Sequence, residues 1–380
     1  MYEENLHISP LIDVANGYPD FQLPSWAQRI SDVYTHAFID SMPTSECDAA
    51  EDIAKRALVM GIGGFEQAAE PDIEGVRLFS NASEALVYSM VGLTNPGDTV
   101  IIEEPSLPEY VKNARVSNRV PRAVPPLSSP DSLVALEDEF KKHSPALFVF
   151  TNPHNPLGYV LSSETIKTVV ALAEQYNVAL IGDQVFGPLR YTSDKYSIPP
   201  MHPLEHASVD SNIPIVTIYD TRKLISLHGE CLAAAVSRED TAQKIDKRTE
   251  GIFLHSLPMH TLLTIPKIIQ HLNFQQYLFE TVRNTILENI QKTTAVLSKK
   301  GWATSTPEAG SFLCVFPGRD LVKNFLTDDA VYDFFMKAGI QTRKLSEFYG
   351  TGQIERTLPP GVRLSLNKQP KIISELLSRI

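Results

Sequence analysis

Cysteine is scarce in this sequence: Cys47, Cys231 and Cys314 are the only three, and they lie far apart. Three separated cysteines are too few for a disulfide framework, and no CxxC or HExxH pair indicates a metal site. We therefore expect a cytoplasmic protein, in a reducing compartment, with no bound metal.

Long apolar runs and positive charge are also lacking. No apolar run approaches the roughly 18 residues of a membrane-spanning helix, and the first residues, MYEEN, lack the basic-then-apolar order of a signal peptide. The 34 Lys and Arg residues are outnumbered by 45 Asp and Glu residues, which gives a net charge of −11. This acidic balance disfavours a nucleic-acid partner or a membrane partner.

The 380 residues, 43% of them hydrophobic, are enough for about two globular domains. Continuous apolar segments at Thr99–Glu103, 146–150, 178–181 and 213–218 alternate with segments of helical periodicity, such as 83–93 and 164–177. This alternation predicts an α/β fold, in which helices cover both faces of a mostly parallel sheet.

The last hundred residues show a different pattern. A long helical segment at 277–301 precedes strand-like segments at 307–315 and 361–366 and helical segments at 330–338 and 370–380. The mixture predicts a smaller α+β domain, against which the N-terminal segment packs. We accordingly assign residues 46–272 to a large domain, and residues 1–45 and 273–380 to a small one.

Three polar side chains follow successive apolar strands of the large domain. They are Asn155, Asp183 and Lys223, separated by 28 and 40 residues. Ligands bind at the carboxyl ends of such strands, and one chemistry needs these three groups together, that of pyridoxal phosphate. The lysine forms a Schiff base with the cofactor aldehyde, the aspartate keeps the pyridine nitrogen protonated, and the asparagine binds the ring hydroxyl.

The chain resembles the fold-type I pyridoxal phosphate enzymes, specifically the class I/II aminotransferases, over almost its whole length. The segments that carry the resemblance are ANGYPDF at 15–21, SNASEAL at 80–86, PGD at 96–98 with Pro105, NPHNPLG at 152–158, DQVF at 183–186, Lys223 with Gly229, and VRLS at 362–365. NPHNPLG is the most specific of them, since it closely matches the family's NPxNPxG.

The resemblance implies a role for each matching position. Lys223 is the Schiff-base lysine and proton shuttle, and Asp183 is its catalytic partner at the ring nitrogen. The implied cofactor-binding residues are Asn81 and Ala82 at the phosphate, Leu107, Asn155, Asp183, Phe186, Thr221 and Lys223. Arg363 binds the carboxylate of an amino acid substrate, and the backbone near Gly17 closes over it. The resemblance also implies a homodimer with its active site at the subunit interface.

Four positions depart from the family pattern. Phe186 replaces a tyrosine that donates to the ring hydroxyl, Leu107 replaces the aromatic that stacks on the ring, and Cys231 replaces the phosphate-binding arginine. Asp220 places an acid where a small polar residue is usual, and it would repel a phosphate unless it points away.

One compensation for these departures is indicated, and one further family tyrosine has no clear match in the sequence. Arg222 could restore the lost positive charge, but adjacent residues on an extended segment point to opposite faces. Phe38 is the nearest match to the tyrosine that a partner subunit contributes in the family.

Three hypotheses follow. The first is a pyridoxal phosphate enzyme acting on an amino acid, an aminotransferase by default. The second is an enzyme with the same cofactor but another reaction, such as a lyase, cyclase, decarboxylase or oxidase. The third is a non-catalytic relative that retains only the fold.

Overall fold

The computed structural model of the chain describes residues 11–36, 44–62, 73–191, 203–207, 211–227, 230–252 and 257–380. In these segments, no helix combines the length and the apolar character needed to cross a membrane.

The strands in the described segments are β1 (Ile12–Asp13), β2 (Val76–Phe79), β3 (Thr99–Glu103), β4 (Val120–Val124), β5 (Leu147–Thr151), β6 (Ala179–Asp183), β7 (Ile215–Asp220), β8 (Ala233–Val236), β9 (Trp302–Thr304), β10 (Phe312–Pro317), β11 (Ile340–Gln341), β12 (Arg343–Lys344) and β13 (Val362–Ser365). The α-helices are α1 (Ser25–His36), α2 (Thr44–Gly61), α3 (Ala82–Leu93), α4 (Pro108–Val116), α5 (Pro130–His143), α6 (Ser163–Tyr176), α7 (Glu239–Thr249), α8 (Met259–Gln270), α9 (Phe274–Gln276), α10 (Asn284–Lys299), α11 (Asp328–Lys337) and α12 (Pro370–Arg379).

Seven strands form one sheet in the order β2-β8-β7-β6-β5-β3-β4. Strand β8 runs antiparallel to β2 and β7, whereas the other neighbouring pairs are parallel. Val100 and Ile102 of β3 belong to one apolar core, and Ile101 between them belongs to another. Since successive side chains of a strand point to opposite faces, the sheet has an apolar core on each face. The predicted α/β fold class is confirmed.

The carboxyl ends of β5, β6 and β7 lie side by side. Thr151 is paired with Asp183 across β5 and β6, and Asp183 is paired with Ile218, two residues before the end of β7 at Asp220. The segments that leave these strands therefore start from one edge of the sheet.

A smaller, separate sheet has the order β12-β13-β10-β9 and is antiparallel throughout. Strand β1 pairs with β11, and the backbone N–H of Ser365 donates to the carbonyl of Val14. The N-terminal segment thus packs against the elements of the small sheet, as the sequence predicts. The domain boundaries after residues 45 and 272 stay predictions.

The helix predicted at 277–301 is divided in two. It begins as a π-helical segment, Tyr277–Arg283, and continues as α10. It ends before Gly301, whose φ of +84° lies in the left-handed region that favours glycine.

Candidate active site

A cavity of about 190 Å³ lies between the strand ends of the large sheet and the small sheet. Eight of the ten residues predicted for the site line it: Gly17, Ala82, Leu107, Asn155, Asp183, Phe186, Lys223 and Arg363. Asn81 and Thr221 do not line it. The chain segments that carry the eight residues are up to 346 positions apart, from Gly17 to Arg363, and tertiary folding alone brings them together.

Lys223 is the last residue of a 3₁₀ turn, Thr221–Lys223, that follows β7 directly. Its amine lies 4.7 Å from the centroid of the Tyr18 ring. Burial lowers the pKa of Lys223 to about 8, and the carboxylates of Asp220 and Asp183 oppose that shift. An amine with this pKa is partly neutral near pH 7, as a nucleophile requires.

Asp183 ends β6 and is held on both carboxylate oxygens. Tyr110 Oη donates to Oδ2 at 2.6 Å, and the backbone N–H of Val185 donates to Oδ1 at 3.0 Å. Burial raises the pKa of Asp183, whereas these two hydrogen bonds act to lower it. The result is a buried acid in a fixed orientation at the wall of the cavity.

Tyr110 is a site residue that the sequence reasoning missed. It lies in the first turn of α4, three residues after Leu107, and both residues line the cavity. Residues three apart on a helix share a face, so this spacing is the signal that could have identified Tyr110. Burial raises the pKa of the Tyr110 phenol well above its usual value, so it stays a proton donor to Asp183.

Arg363 lies on β13 and is buried. Its Nη1 donates to Asn155 Oδ1 at 3.0 Å, its Nη2 donates to the carbonyl of Ala15, and its guanidinium carbon lies 4.3 Å from the centroid of the Phe312 ring. Among the described residues its Nε has no hydrogen-bond partner. Burial and the nearby Arg343 lower the pKa of Arg363 to about 9. A buried guanidinium bonded only to neutral acceptors is suited to bind a carboxylate.

The predicted phosphate end of the site is arranged differently from the expectation. Asn81 Oδ1 accepts from the backbone N–H of Glu84, so its side chain caps α3. The backbone N–H of Ala82 donates to Asp220 Oδ2 at 3.0 Å. The Asn81 side chain thus caps the helix, and the Ala82 amide is occupied by a carboxylate. The predicted phosphate-binding roles of these two residues stay predictions.

The residues around Lys223 also differ from the prediction. Thr221 Oγ1 accepts from the backbone N–H of Leu232 at 2.9 Å and is buried away from the cavity. Thr221 is therefore not brought to the cavity with the other predicted site residues, and its cofactor-binding role stays a prediction. The segment is a 3₁₀ turn rather than an extended strand, and Arg222 and Lys223 consequently line the same cavity.

Arg222 lies beside the cysteine that replaces the family's phosphate arginine. Its Nη2 is 3.3 Å from Cys231 Sγ, and that thiol donates to the carbonyl of Ser80. The guanidinium also borders an adjoining pocket lined by Ser80 and Asn81. Arg222 therefore places a positive charge near the start of α3.

The remaining walls are apolar. The Phe186 ring meets the Phe312 ring edge-on, with 4.7 Å between centroids, and Leu107 packs against the core. The carbonyl of Gly17 accepts from Asn367 Nδ2 at 2.8 Å, and a Cβ at Gly17 would lie 3.4 Å from the Phe312 ring. Phe38 and Gly229 lie outside the described residues.

His154 directly precedes Asn155 in the sequence, but it does not line the cavity. Its ring stacks on Tyr159 with centroids 4.4 Å apart. Burial lowers the pKa of His154 to about 3, so it is neutral and structural.

The cavity fits one end of pyridoxal phosphate better than the other. Lys223, Asp183 and Asn155 supply the groups needed at the aldehyde, the ring nitrogen and the ring hydroxyl, between walls formed by Leu107 and Phe186. The phosphate end offers Arg222 and the N-terminus of α3, but the carboxylate of Asp220 lies between them.

Comparisons with known proteins show the family of the chain. A family model described as aminotransferase class I and II matches residues 13–380. Kynurenine–oxoglutarate transaminase 3 of Mus musculus is 27% identical over 194 residues, which make up 48% of this chain and 42% of that protein. The chain thus spans less than half the length of this curated relative.

Solved structures share the fold. N-succinyldiaminopimelate aminotransferase of Mycobacterium tuberculosis has a TM-score of 0.81 and 17% identity, over 97% of this chain and 92% of its own. A PLP-bound protein of Clostridium difficile 630 has a TM-score of 0.78 and 16% identity, over 97% of this chain and 91% of its own.

Proposed function

This chain belongs to the class I and II aminotransferase family, and we propose that it is a pyridoxal phosphate-dependent enzyme that transfers the amino group of an amino acid. The observation that carries the proposal is the convergence of Lys223, Asp183, Asn155 and Arg363 on one cavity. Burying charged groups costs free energy unless they gain partners. A cofactor and a substrate carboxylate would supply such partners to Lys223 and Arg363.

Pyridoxal phosphate, when bound, supplies an aldehyde that joins amino groups and a pyridine ring that accepts electrons. With the cofactor bound, Asp183 would hold a proton at the ring nitrogen, because Tyr110 and Val185 keep its carboxylate in a fixed orientation. Asn155, whose Oδ1 accepts from Arg363, would bind the ring hydroxyl. Lys223 Nζ would hold the cofactor through its aldehyde and would move the proton at the substrate Cα.

Arg363 binds and orients the substrate. Its planar donors match the two oxygens of an α-carboxylate, and the Phe312 ring below the guanidinium holds it in place. Gly17 and Tyr18 line the cavity beside Arg363, and this segment would close over a bound substrate. Phe186 offers no donor to the ring hydroxyl, so that role falls to Asn155 alone in this subunit.

We further propose that the enzyme is a cytoplasmic homodimer. Membership of the family supports the dimer. The scarcity of cysteine and the free thiols of Cys231 and Cys314 support a reducing compartment. Sedimentation of the purified chain would distinguish a dimer from a monomer.

The deciding experiment traps the cofactor on the protein. Purified chain is incubated with pyridoxal phosphate, reduced with borohydride, digested and analysed by mass spectrometry. We expect the cofactor mass on the peptide that contains Lys223, and no visible absorbance band in Lys223→Ala. Labelling of several surface lysines without preference, or a band that survives in Lys223→Ala, would contradict the proposed role of Lys223.

A second assay separates transamination from other reactions of the same cofactor. Amino acids are supplied with and without a 2-oxo acid acceptor, and the new amino acid is measured by chromatography. Transamination requires the acceptor and yields product amino acid in a one-to-one ratio with the new oxo acid. Turnover that proceeds without acceptor would favour a lyase, decarboxylase or oxidase instead.

A further inference from the structure

The Asp220 carboxylate accepts hydrogen bonds from two backbone N–H groups at the phosphate end of the cavity. Its Oδ2 accepts from Ala82 N–H at 3.0 Å, and its Oδ1 accepts from Arg222 N–H at 2.6 Å. Only 3% of the residue is exposed. The carboxylate thus lies at the first amide of α3, a helix of 12 residues.

That position is the one an anionic group of a ligand would take. The N-terminus of a helix attracts negative charge, because its first N–H groups lack partners within the helix and the helix dipole is positive there. The Asp220 carboxylate supplies the negative charge from within the chain. A phosphate at the same amide would have to displace the carboxylate or lie against it, and two like charges at one donor repel each other.

Hydrogen bonds and nearby positive charge hold the Asp220 carboxylate in this position. Burial raises the pKa of Asp220, whereas the N–H groups of Arg222 and Ala82 and the charges of Lys223 and Arg222 act to lower it. Asp183 adds a second acid on the neighbouring strand, and the charge of Asp220 acts to raise the pKa of Asp183. The cavity therefore already contains acids that offset part of its positive charge before any phosphate enters.

We propose that Asp220 determines cofactor selectivity by acting as a built-in anion at the phosphate position. The phosphate of pyridoxal phosphate therefore adds far less binding affinity in this cavity than it would add in the same cavity without the acid. This inference rests on the proposed function, because it assigns the cofactor to the same cavity. The expected effect is on binding of the phosphate and not on binding of the pyridine ring.

The test compares two ligands that differ only in the phosphate. Pyridoxal phosphate and pyridoxal are titrated into unloaded full-length wild type, Asp220→Asn and Asp220→Ser, and the dissociation constants are measured by absorbance. We expect both variants to bind pyridoxal phosphate at least tenfold more tightly, with the larger gain in Asp220→Ser because the shorter side chain leaves the Ala82 amide free. Binding of pyridoxal is expected to change less than threefold.

The ratio of the two dissociation constants isolates the phosphate. Loss of Asp220 also changes the pKa of Lys223, but that change affects both aldehydes equally and cancels in the ratio. Asp240→Asn is the matched control, since it removes an exposed acid from α7 that pairs with Lys244. The ratio in this control is expected to equal that of wild type.

A measurement on wild type alone needs no variant to fold. Millimolar inorganic phosphate is added during titration with pyridoxal. With Asp220 in the phosphate position, we expect no gain in pyridoxal affinity. A gain would show that the position is open and would overturn the inference.

The outcomes distinguish this inference from the proposed function. An unchanged ratio in both folded variants, or weaker binding of pyridoxal phosphate, overturns the selectivity role of Asp220 and leaves the cofactor assignment standing. If neither aldehyde binds to wild type or to either variant, the cofactor assignment fails and this inference fails with it.

Discussion

Tyr110 Oη donates to Asp183 Oδ2 at 2.6 Å, so an acid at the end of β6 is held by the first turn of α4. The two residues are 73 positions apart. The bond matters because Asp183 is buried, and a buried carboxylate without donors takes up a proton. Burial raises the pKa of Asp183, and the bond from Tyr110 opposes that rise and fixes the orientation of the carboxylate.

Tyr110→Phe tests this relationship. A hydrogen bond to a charged group is worth about 1.5–3 kcal/mol, so we expect kcat/KM to fall roughly 10- to 100-fold. Since the phenol lowers the pKa of Asp183, its loss raises that pKa, and the acidic limb of the pH profile moves to higher pH. Tyr176→Phe is the control, because it removes a hydroxyl that binds Glu137 on distant helices. An equal fall without any shift of the acidic limb would indicate a merely structural role.

Arg222 is expected to supply the positive charge that the family places at the position of Cys231. Arg222→Met should weaken binding of pyridoxal phosphate roughly 10- to 100-fold, because a charge-assisted contact is lost. Adding Cys231→Arg to that variant should restore most of the affinity. Titration followed by absorbance measures both constants.

The control for this pair is Arg122→Met. Arg122 lies on the outer strand β4, and the substitution breaks its ion pair with Glu139 of α5. It should leave the dissociation constant unchanged. If Arg222→Met also leaves it unchanged, the guanidinium does not contact the phosphate. If pyridoxal binding weakens as much as that of the phosphorylated form, the effect of Arg222 is not on the phosphate.

Arg363→Lys probes recognition of the substrate carboxylate. Lysine retains the charge but loses the two parallel donors, so we expect kcat/KM for amino acids to fall about 100-fold or more. An amine substrate without a carboxylate should be affected far less. Loss of both activities to the same extent would place Arg363 outside substrate recognition. Cofactor absorbance, measured in parallel, verifies that the site still forms.

The pH dependence of cofactor capture follows from Lys223. Burial lowers its pKa to about 8, and only the neutral amine attacks an aldehyde. The second-order rate of band formation should therefore rise with pH and level off above about 8, as measured by stopped-flow absorbance. An ordinary lysine would continue to rise to about 10.

Asp220→Asn tests the direction in which Asp220 shifts the pKa of Lys223. The carboxylate of Asp220 raises the pKa of Lys223, against the effect of burial. Removing that charge in Asp220→Asn should move the midpoint to lower pH. A midpoint that moves upward, or a wild-type profile still rising at pH 9.5, would contradict the assigned electrostatics.

Much of the fold was predictable, because its cause is local. Continuous apolar segments such as Thr99–Glu103 can be buried on both faces only in a sheet covered by helices, and the structure forms that strand with the same bounds. The helix at 277–301 was predicted as continuous, and its π-helical start was missed. Over one or two turns, apolar periodicity does not distinguish the hydrogen-bond pattern of an α-helix from that of a π-helix.

The sequence by itself determined that Asn155, Asp183 and Lys223 stand at or just after the ends of three strands. Parallel strands place their carboxyl ends at one edge of the sheet. The tertiary structure alone decided what lies between them. The bond from Leu232 N–H to Thr221 Oγ1 accompanies a 3₁₀ turn that carries Arg222 and Lys223 to the same cavity.

Asp220 is the clearest case of a residue whose identity is given by the sequence and whose role is decided by the tertiary structure. Its presence is plain in the sequence, but its effect depends on whether the carboxylate points into or away from the phosphate position. That choice depends on a helix that begins 138 residues earlier at Ala82. Hydrogen bonds between such distant segments follow from the packing of the whole sheet, which no local pattern encodes.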